Sequence, residues 1–323
     1  MRASILSILR QNAGEYLSGE ELSRQLDVSR TAVWKHIRLL KQEGYEIEAH
    51  SRLGYCLRQT PDLLLPDEIR AHRNVRLLGK EIHHFMEIDS TNNEAKKYAA
   101  AGCPEGTLVV AEAQNGGRGR LARGWFSPVQ KGIWLSAVLK PLLRPIDAPK
   151  FTLLAAVAIT RAIRNVAQVE CGIKWPNDIL FQGKKLVGIL TEMSAEIDVI
   201  NYIVIGMGIN VNIDSDEFPA EIAGIATSVA AAAGWPIARI ELLTAILTEL
   251  ESLYYTAINE GFFKILDEWR ALSITLGHTV NVVGVNQQFA GVALDIDAEG
   301  ALLVDTAHGI ERVVAGDVSV RKA

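Results

Sequence analysis

Cysteine is scarce in this chain of 323 residues, and no long apolar run occurs. The three cysteines, Cys56, Cys103 and Cys171, are odd in number and widely spaced, which argues against a disulfide framework and against a zinc site. The longest apolar run, residues 153–159, is far too short to span a bilayer, and the residues after Met1 do not form a cleavable signal. We therefore expect a cytoplasmic protein without a membrane partner.

Motifs of several common catalytic classes are also missing. The sequence has no Walker A loop, no nucleophile elbow and no His-Glu-x-x-His motif. Gly206 and Gly208 could begin a dinucleotide fingerprint, but Val211 stands where its third glycine belongs. The residues that follow alternate, so the segment predicts a strand with Asn210 and Asn212 on one face and excludes a Rossmann motif.

Length and charge indicate several domains and assign any nucleic-acid contact to the amino-terminal end. A chain of 323 residues suggests two or three domains, and 49% apolar with 22% charged residues is typical of a soluble globular protein. Residues 1–60 carry nine lysines and arginines against seven aspartates and glutamates, whereas the whole chain has a net charge of −5. This mild asymmetry suggests that any nucleic-acid contact lies in the first sixty residues.

The first sixty residues predict a winged helix-turn-helix domain. Ser18 and Glu21 form a capping box before a second helix, and Ser29 can cap a third helix that ends near Glu43. An alternating hairpin follows with its tip near Arg52, in the position of a wing. The alternative is a small helical packing module with solvated charges. The predicted DNA contacts are Ser29, Arg30, Thr31, Lys35, His36, Arg38 and Arg52.

A glycine-arginine segment stands out in the middle of the chain. After a linker bracketed by Pro61 and Pro66, strand and helix patterns alternate to about residue 270 and predict an α/β or α+β domain. Residues 116–125 interleave three arginines with glycines. Glycine makes this segment costly to order, and arginine forks match carboxylates and phosphates, so we expect a loop that closes over an anionic ligand. The alternative is a solvated basic turn.

Three further polar clusters lie in the same region, at residues 88–95, 174–190 and 205–213. Ser90 or Thr91 begins a helix after a strand, where capping alone explains them, and Gln114 ends an apolar strand with an amide that suits a neutral ligand head. Residues 174–178 form a proline turn, and Lys185 heads the next strand. Arginines, lysines and asparagines without an obvious nucleophile suit positioning and charge neutralisation, as in attack of a carboxylate on the α-phosphate of ATP.

The order of these clusters resembles that of one known family. Biotin protein ligases carry motifs in the order and spacing of residues 117–125, 174–178, 184–190 and 206–210. With the helix-turn-helix pattern in front, the chain resembles the bifunctional form, which is both biotin ligase and biotin operon repressor. The resemblance implies an α+β multidomain fold. Its parts are a winged helix-turn-helix domain at 1–62, a central mixed-sheet α/β ligase domain of the class II synthetase-like kind at 66–271, and an SH3-like β-barrel at 272–323.

The carboxy-terminal residues agree with such a barrel. Short alternating strands, separated by glycine or acidic turns, are predicted at 280–285, 291–295, 301–304 and 316–320.

The resemblance also implies two reactions and a regulatory role. Biotin and ATP give biotinyl-5′-AMP and pyrophosphate, with Mg²⁺ held by Asp178 directly or through water. A lysine of the biotin carboxyl carrier protein of acetyl-CoA carboxylase then takes the biotin. The adenylate doubles as a corepressor that favours a homodimer on operator DNA.

Site residues follow from the matched motifs. The catalytic residues are Lys185, Arg118 and Arg120. The biotin contacts are Ser90, Thr91, Asn92, Gln114, Gly117, Arg118, Gly119, Arg120, Lys185, Gly188 and Gly206. The ATP and adenylate contacts are Arg120, Arg123, Trp125, Lys174, Asn177, Lys185, Asn210 and Asn212.

Two positions depart from the family's loop. Ala122 stands where glycine is usual, and Leu121 stands where a basic residue is common. Both changes remove freedom or charge, so we expect loop closure and adenylate retention to differ from those of relatives.

Two other functions stay open, a lipoate or octanoate ligase and a ligand-sensing repressor without ligase activity.

Overall fold

The computed structural model describes residues 1–283, 288–314 and 319–322. They form two compact units, Met1–Ala71 and His72–Ala323. Among the described helices, none is both long enough and apolar enough to cross a membrane.

The first unit contains the predicted helix-turn-helix and hairpin. The Ser18 hydroxyl accepts from the Glu21 amide at 3.0 Å, and the Ser29 hydroxyl accepts from the Ala32 amide at 3.2 Å, so both predicted caps are confirmed. Its elements are α1 (Arg2–Gln11), α2 (Gly19–Leu26), α3 (Arg30–Gln42), β1 (Glu46–His50), β2 (Gly54–Gln59) and α4 (Pro66–His72). The core includes the apolar face of α3, namely Val33, Ile37 and Leu40.

A mixed seven-stranded sheet organises the second unit. Its strands are β3 (Ile82–Phe85), β4 (Leu108–Ala111), β5 (Gly132–Leu139), β6 (Gly172–Lys174), β7 (Asp178–Phe181), β8 (Lys184–Ala195) and β9 (Ile200–Asn210). Their order is β3-β4-β5-β9-β8-β7-β6, and only β3 and β4 are parallel. The predicted mixed-sheet domain is therefore confirmed.

Strand β9, the last strand of this sheet along the chain, is shorter than the alternation predicts. It ends at Asn210, because the amides of Val211 and Asn212 both donate to the carbonyl of Lys131, at 3.2 and 2.7 Å. The chain turns there. The prediction of a strand that places Asn210 and Asn212 on one face is wrong at Asn212.

Helices cover both faces of the sheet. The helices are α5 (Thr91–Ala100), α6 (Ala148–Ala167), α7 (Ala220–Ala223), α8 (Val229–Ala233), α9 (Arg239–Glu260) and α10 (Phe263–Leu272). Ser136 of β5 contacts α5, whereas Thr191 of β8 contacts Thr152 of α6. Ser136 pairs with Gly206 and Thr191 with Ile205, which are consecutive residues of β9. Since side chains alternate along a strand, α5 and α6 lie on opposite faces.

An antiparallel five-stranded sheet forms the carboxy-terminal part of this unit. Its strands are β10 (Thr279–Val283), β11 (Gln288–Ile296), β12 (Leu302–Thr306), β13 (Gly309–Val313) and β14 (Ser319–Lys322), in the order β13-β12-β11-β10-β14. Strand β13 was not predicted. The predicted strand ends at 284–285 and 316–318 lie outside the described residues.

The five-stranded sheet is joined to the larger sheet through Trp175. The indole Nε1 of Trp175 donates to the carbonyl of Gly300 at 3.1 Å, and its backbone amide donates to the Thr275 hydroxyl at 2.9 Å. The Ile274 amide donates to the carbonyl of Ile173 at 2.9 Å. The indole is buried, so these contacts fix the turn that follows β6.

Candidate functional site

A cavity of about 690 Å³ opens on one face of the mixed sheet. Its wall brings together side chains from all four polar clusters. The predicted residues that line it are Ser90, Thr91, Asn92, Gln114, Arg118, Gly119, Arg120, Arg123, Trp125, Lys174, Asn177, Asp178, Lys185, Gly188, Gly206 and Asn210. Predicted residues Gly117 and Asn212 do not line it.

Lys185 and Asp178 form an ion pair inside this cavity. They lie on the adjacent antiparallel strands β8 and β7, and the Lys185 Nζ is 2.7 Å from the Asp178 Oδ1. The same ammonium lies 5.1 Å from the centre of the Trp125 ring. The lysine is thus held between a carboxylate and an aromatic face.

The Trp125 indole lies flat on a glycine surface. Gly188 and Gly208 are cross-strand partners, and a Cβ atom added to them would lie 2.8 and 2.4 Å from atoms of that indole. Gly206 has the same relation to Asn92, whose Oδ1 would be 2.0 Å from an added Cβ. Glycine at these positions therefore permits close approach to the sheet backbone, and the group that uses it at Gly188 is Trp125.

The arginine loop is folded against the cavity. The Trp125 amide donates to the carbonyl of Gly117, and the Gly119 amide donates to the carbonyl of Arg123, each at 2.8 Å. A Cβ atom on Gly117 would lie 2.6 Å from the Trp125 carbonyl oxygen, so this glycine serves loop packing. Leu121 has a φ of +55°, which makes it the left-handed residue of the turn.

Two arginines tie the loop to its surroundings. The guanidinium of Arg118 donates to the Asn93 Oδ1, and the Nη1 of Arg120 donates to the Asn177 Oδ1 at 3.1 Å. Arg123 is exposed. Arg120 therefore already reaches the turn that carries Asp178.

The helix start at Ser90 is capped differently from the prediction. Ser90 occupies the N-cap position but its side chain makes no capping hydrogen bond. The Gln114 Oε1 instead accepts from the Thr91 amide at 2.8 Å, while the Gln114 Nε2 donates to the Ser127 hydroxyl at 3.0 Å. Gln114 thus links the helix start to the end of the arginine loop.

Three residues that hold cavity-lining side chains were missed by sequence reasoning, namely Ser127, Ser136 and Glu192. Ser136 is a single hydroxyl in an otherwise apolar strand, which is the one signal that could have identified it. Its Oγ lies 2.8 Å from the Thr91 Oγ1 and 2.6 Å from the Asn92 Oδ1.

Glu192 lies at the end of this series of hydrogen bonds, next to Lys96. The Asn92 Nδ2 donates to the Glu192 Oε2 at 3.0 Å, and the Lys96 ammonium donates to the Oε1 at 2.6 Å. Burial acts to raise the pKa of Glu192, but the hydrogen bonds from Lys96 and Asn92 outweigh it and hold the pKa below its ordinary value. Glu192 is therefore ionised at neutral pH.

The three asparagines predicted to contact the nucleotide make hydrogen bonds to the protein backbone. The Asn177 Nδ2 donates to the carbonyl of Ile189 at 2.9 Å, and the Asn210 Nδ2 donates to that of Thr227 at 3.1 Å. Both side chains also line the cavity. Asn212 is bonded through both amide atoms to the backbone of Ile237, which holds it away from the cavity wall.

Basic side chains lie on the outer face of α3 in the first unit. Arg30, Thr31, Lys35 and Arg38 are exposed, His36 is half-buried and Ser29 is the exposed cap. Arg52 is exposed at the hairpin tip, where the His50 Nδ1 accepts from its amide at 3.3 Å. Trp34, missed from sequence, is 53% exposed on the same helix, with the Arg38 guanidinium 5.8 Å from its ring centre.

Three known sequence families match the chain. The HTH domain family matches residues 2–56, the Biotin/lipoate A/B protein ligase family matches residues 85–210, and the Biotin protein ligase C terminal domain family matches residues 275–321. The matches follow the order of the two units.

Full-length relatives and a solved structure agree with these matches. The bifunctional ligase/repressor BirA of Bacillus spizizenii is 42% identical over 320 residues, which cover 99% of this chain and 98% of that protein. BirA of Escherichia coli is 30% identical over 310 residues, covering 96% and 94%. The biotin protein ligase from Aquifex aeolicus in complex with biotin and ATP superposes with a TM-score of 0.67 at 28% identity, covering 76% of this chain and 100% of that chain.

Proposed function

The chain belongs to the biotin protein ligase family in its bifunctional ligase and repressor form, and from this membership we propose its reaction, its partners and its site residues. It forms biotinyl-5′-AMP and pyrophosphate from biotin and ATP. It then transfers biotin to a lysine of the biotin carboxyl carrier protein of acetyl-CoA carboxylase. The observation that carries this proposal is the single cavity in which the arginine loop, the turn at 174–178, Lys185 and the glycines of β9 meet.

Charge neutralisation is the chemistry that these side chains supply. The biotin carboxylate and the α-phosphate are both anionic, so their approach requires cations on both reacting groups. Lys185 bridges the carboxylate and the α-phosphate, after exchanging its contact with Asp178 for the ligand oxygens. Arg118 and Arg120 hold the loop over biotin, and Arg123, Trp125 and Lys174 lie toward the nucleotide. Asn177 and Asn210 shape the wall behind it.

Asp178 is the residue proposed for Mg²⁺. In the described part of the chain, no group of three or more histidines, cysteines, aspartates and glutamates is arranged to hold a metal. Magnesium commonly uses one or two carboxylates and takes its other ligands from substrate phosphates and water, so one carboxylate fits. When bound, the ion would screen the charge of the triphosphate, and Asp178 becomes available once Lys185 turns to the ligands.

The first unit binds operator DNA, and biotinyl-AMP acts as the corepressor. The exposed cations of α3 and Arg52 at the hairpin tip supply contacts to the phosphates and bases. Helix-turn-helix proteins usually bind DNA as two-fold dimers, so the adenylate-bound form is a homodimer.

Apolar surface on the second unit supports that dimer. Leu142 and Ile197 are 92% and 94% exposed. Their loops are neighbours, since the Ile200 amide donates to the carbonyl of Leu143 at 3.3 Å. An exposed apolar patch of this kind is typical of a protein interface.

Incubation with ATP, labelled biotin and apo carrier protein tests the ligase. We expect labelled carrier, and no label on a carrier whose acceptor lysine is replaced by arginine. Labelling with octanoate or lipoate in place of biotin would instead identify the alternative ligase. A chain that labels no carrier and still binds biotin would be the ligand-sensing repressor without ligase activity.

Operator binding tests the second role. At one fixed salt concentration, the duplex upstream of the biotin biosynthetic genes is titrated with the chain, with and without biotin and ATP. We expect tighter binding and a dimer when both ligands are present. Binding that is indifferent to both ligands would overturn the corepressor role.

A further inference from the structure

Ser136 is a buried hydroxyl that touches two residues of the candidate biotin site. It lies in the middle of β5, and the rest of that strand consists of glycine and apolar residues. Its side chain is inaccessible to solvent, so its hydrogen bonds must come from neighbouring protein groups. Those neighbours are the Thr91 Oγ1 at 2.8 Å and the Asn92 Oδ1 at 2.6 Å.

The orientation of the Asn92 amide determines the direction of these hydrogen bonds. The Asn92 Nδ2 donates to the carbonyl of Leu190 at 3.1 Å and to the Glu192 Oε2 at 3.0 Å, which are both acceptors. The amide oxygen must therefore face Ser136. Because Asn92 is buried, leaving that oxygen without a proton donor would cost free energy.

A serine hydroxyl carries one proton, and here Asn92 takes it. The 2.8 Å contact between the two hydroxyl oxygens then depends on the proton of Thr91. The Thr91 hydroxyl has two acceptors within reach, the Ser136 Oγ at 2.8 Å and the Gln114 Oε1 at 3.1 Å. We assign its proton to the nearer contact, because two hydroxyl oxygens at 2.8 Å need a proton between them, whereas the Gln114 Oε1 already accepts from the Thr91 amide. Thr91 then has only lone pairs to offer to other groups.

Two acceptor oxygens therefore meet at the cavity wall. The Thr91 Oγ1 lies 3.1 Å from the Gln114 Oε1, which already accepts from the Thr91 amide at 2.8 Å. Thr91 and Gln114 both line the cavity. Two acceptors at this distance are stabilised by a donor from the ligand, and a cation is not required, since neither oxygen is charged.

We propose that Ser136 is a positioning residue: with Asn92 and Glu192, it fixes the Thr91 hydroxyl as an acceptor and so selects a ligand with a neutral ring N–H. This inference rests on the proposed function, in which that group is a ureido nitrogen of biotin. The ionised Glu192, held by Lys96, anchors the far end of the chain of hydrogen bonds.

The test is biotin-dependent pyrophosphate exchange by the full chain carrying Ser136→Ala. Without Ser136, the Thr91 hydroxyl can turn its proton toward Gln114 and no longer accepts reliably from the ligand. We expect the KM for biotin to rise by about 10- to 100-fold, with the KM for ATP and the kcat at saturating biotin close to those of the wild type.

A second readout separates positioning from general damage. Two cyclic carbamate isosteres of biotin each replace one ureido N–H by oxygen. We expect the wild type to prefer biotin strongly over one of them, and the Ser136→Ala variant to show a much smaller preference, because its Thr91 can donate to the new oxygen. A merely structural role would weaken all of the ligands alike and leave the ratio unchanged.

Thr160→Val is the matched control. It removes a buried hydroxyl from α6 that has no hydrogen-bond partner in the described residues, and we expect no change in the preference. Should Ser136→Ala fail to fold, Ser136→Cys replaces it, since a thiol is a weak donor and the expected direction is the same. An unchanged ratio in an active, folded Ser136 variant would overturn the inference alone. A wild type without biotin-dependent exchange would overturn the proposed function and the inference with it.

Discussion

The ammonium of Lys185 lies 2.7 Å from a carboxylate oxygen of Asp178. The two residues lie on adjacent antiparallel strands, and this contact orients the lysine before any ligand enters. In the proposed reaction the ligand oxygens take over the role of Asp178. One anionic partner thereby replaces another.

Replacement of Lys185 by alanine should remove one preorganised donor from the transition state. We expect adenylate formation to slow by about 100- to 1,000-fold, as measured by pyrophosphate exchange. Lys184→Ala is the control, because Lys184 is the adjacent lysine and its side chain is exposed. Near-normal adenylate formation in the Lys185 variant would contradict the assigned role.

A side chain at position 208 should displace the Trp125 indole. In Gly208→Ala the new Cβ would lie 2.4 Å from the Trp125 Nε1, which is closer than any real contact. We expect a change in tryptophan emission that disappears when the same substitution is made in a Trp125→Phe background. Gly224→Ala should leave emission unaltered, because nothing lies within 4 Å of its added Cβ. Equal emission changes in both backgrounds would show that Trp125 does not lie on Gly208.

The buried pair of Glu112 and Arg239 should be important for stability. The Arg239 Nη2 lies 3.0 Å from the Glu112 Oε2, both side chains are inaccessible to solvent, and His84 lies 3.0 Å from the other carboxylate oxygen. Glu112→Gln removes one charge of this buried pair and should destabilise the second unit by about 3–5 kcal/mol.

Urea unfolding of the full chain measures this effect. Glu170→Gln is the matched control, because its partner Arg164 forms a pair in which Glu170 is 79% exposed. An unfolding midpoint of Glu112→Gln equal to that of the control would contradict the prediction.

Cysteine reactivity should follow burial. Burial raises the pKa of the Cys171 thiol to about 11, so the thiol stays protonated through the neutral range and its thiolate appears only as the pH approaches that value. At pH 8, a thiol reagent should label the half-buried Cys103 first, and Cys103→Ser should remove the fast phase. Fast labelling of Cys171 in the folded chain at pH 8 would refute this order.

Local signals in the sequence predicted much of the first unit and the membership of the cavity. The caps at Ser18 and Ser29 depend on residues three positions away, so a local pattern is sufficient. The roles of Ser136 and Asn212 are not local. Ser136 meets α5 across 44 to 45 positions of sequence, and its strand gives no indication of where its hydroxyl finds partners.

Alternation also gives no signal for the end of a strand. The residues after Asn210 keep the alternating pattern, but the carbonyl of Lys131 takes two successive amides and turns the chain. Trp34 was overlooked for a related reason, since an aromatic residue in an amphipathic helix is more often assigned to the core than to the exposed face.

The attachment of Trp175 has a consequence for any shortened form of the chain. A fragment ending at residue 271 would lose both Thr275 and Gly300, the partners of the Trp175 amide and indole. It would carry a large bare aromatic ring beside Lys174 and Asp178, and that surface would promote aggregation of the fragment. The two sheets match different sequence families, but both are held by the contacts of Trp175 beside the ligand cavity.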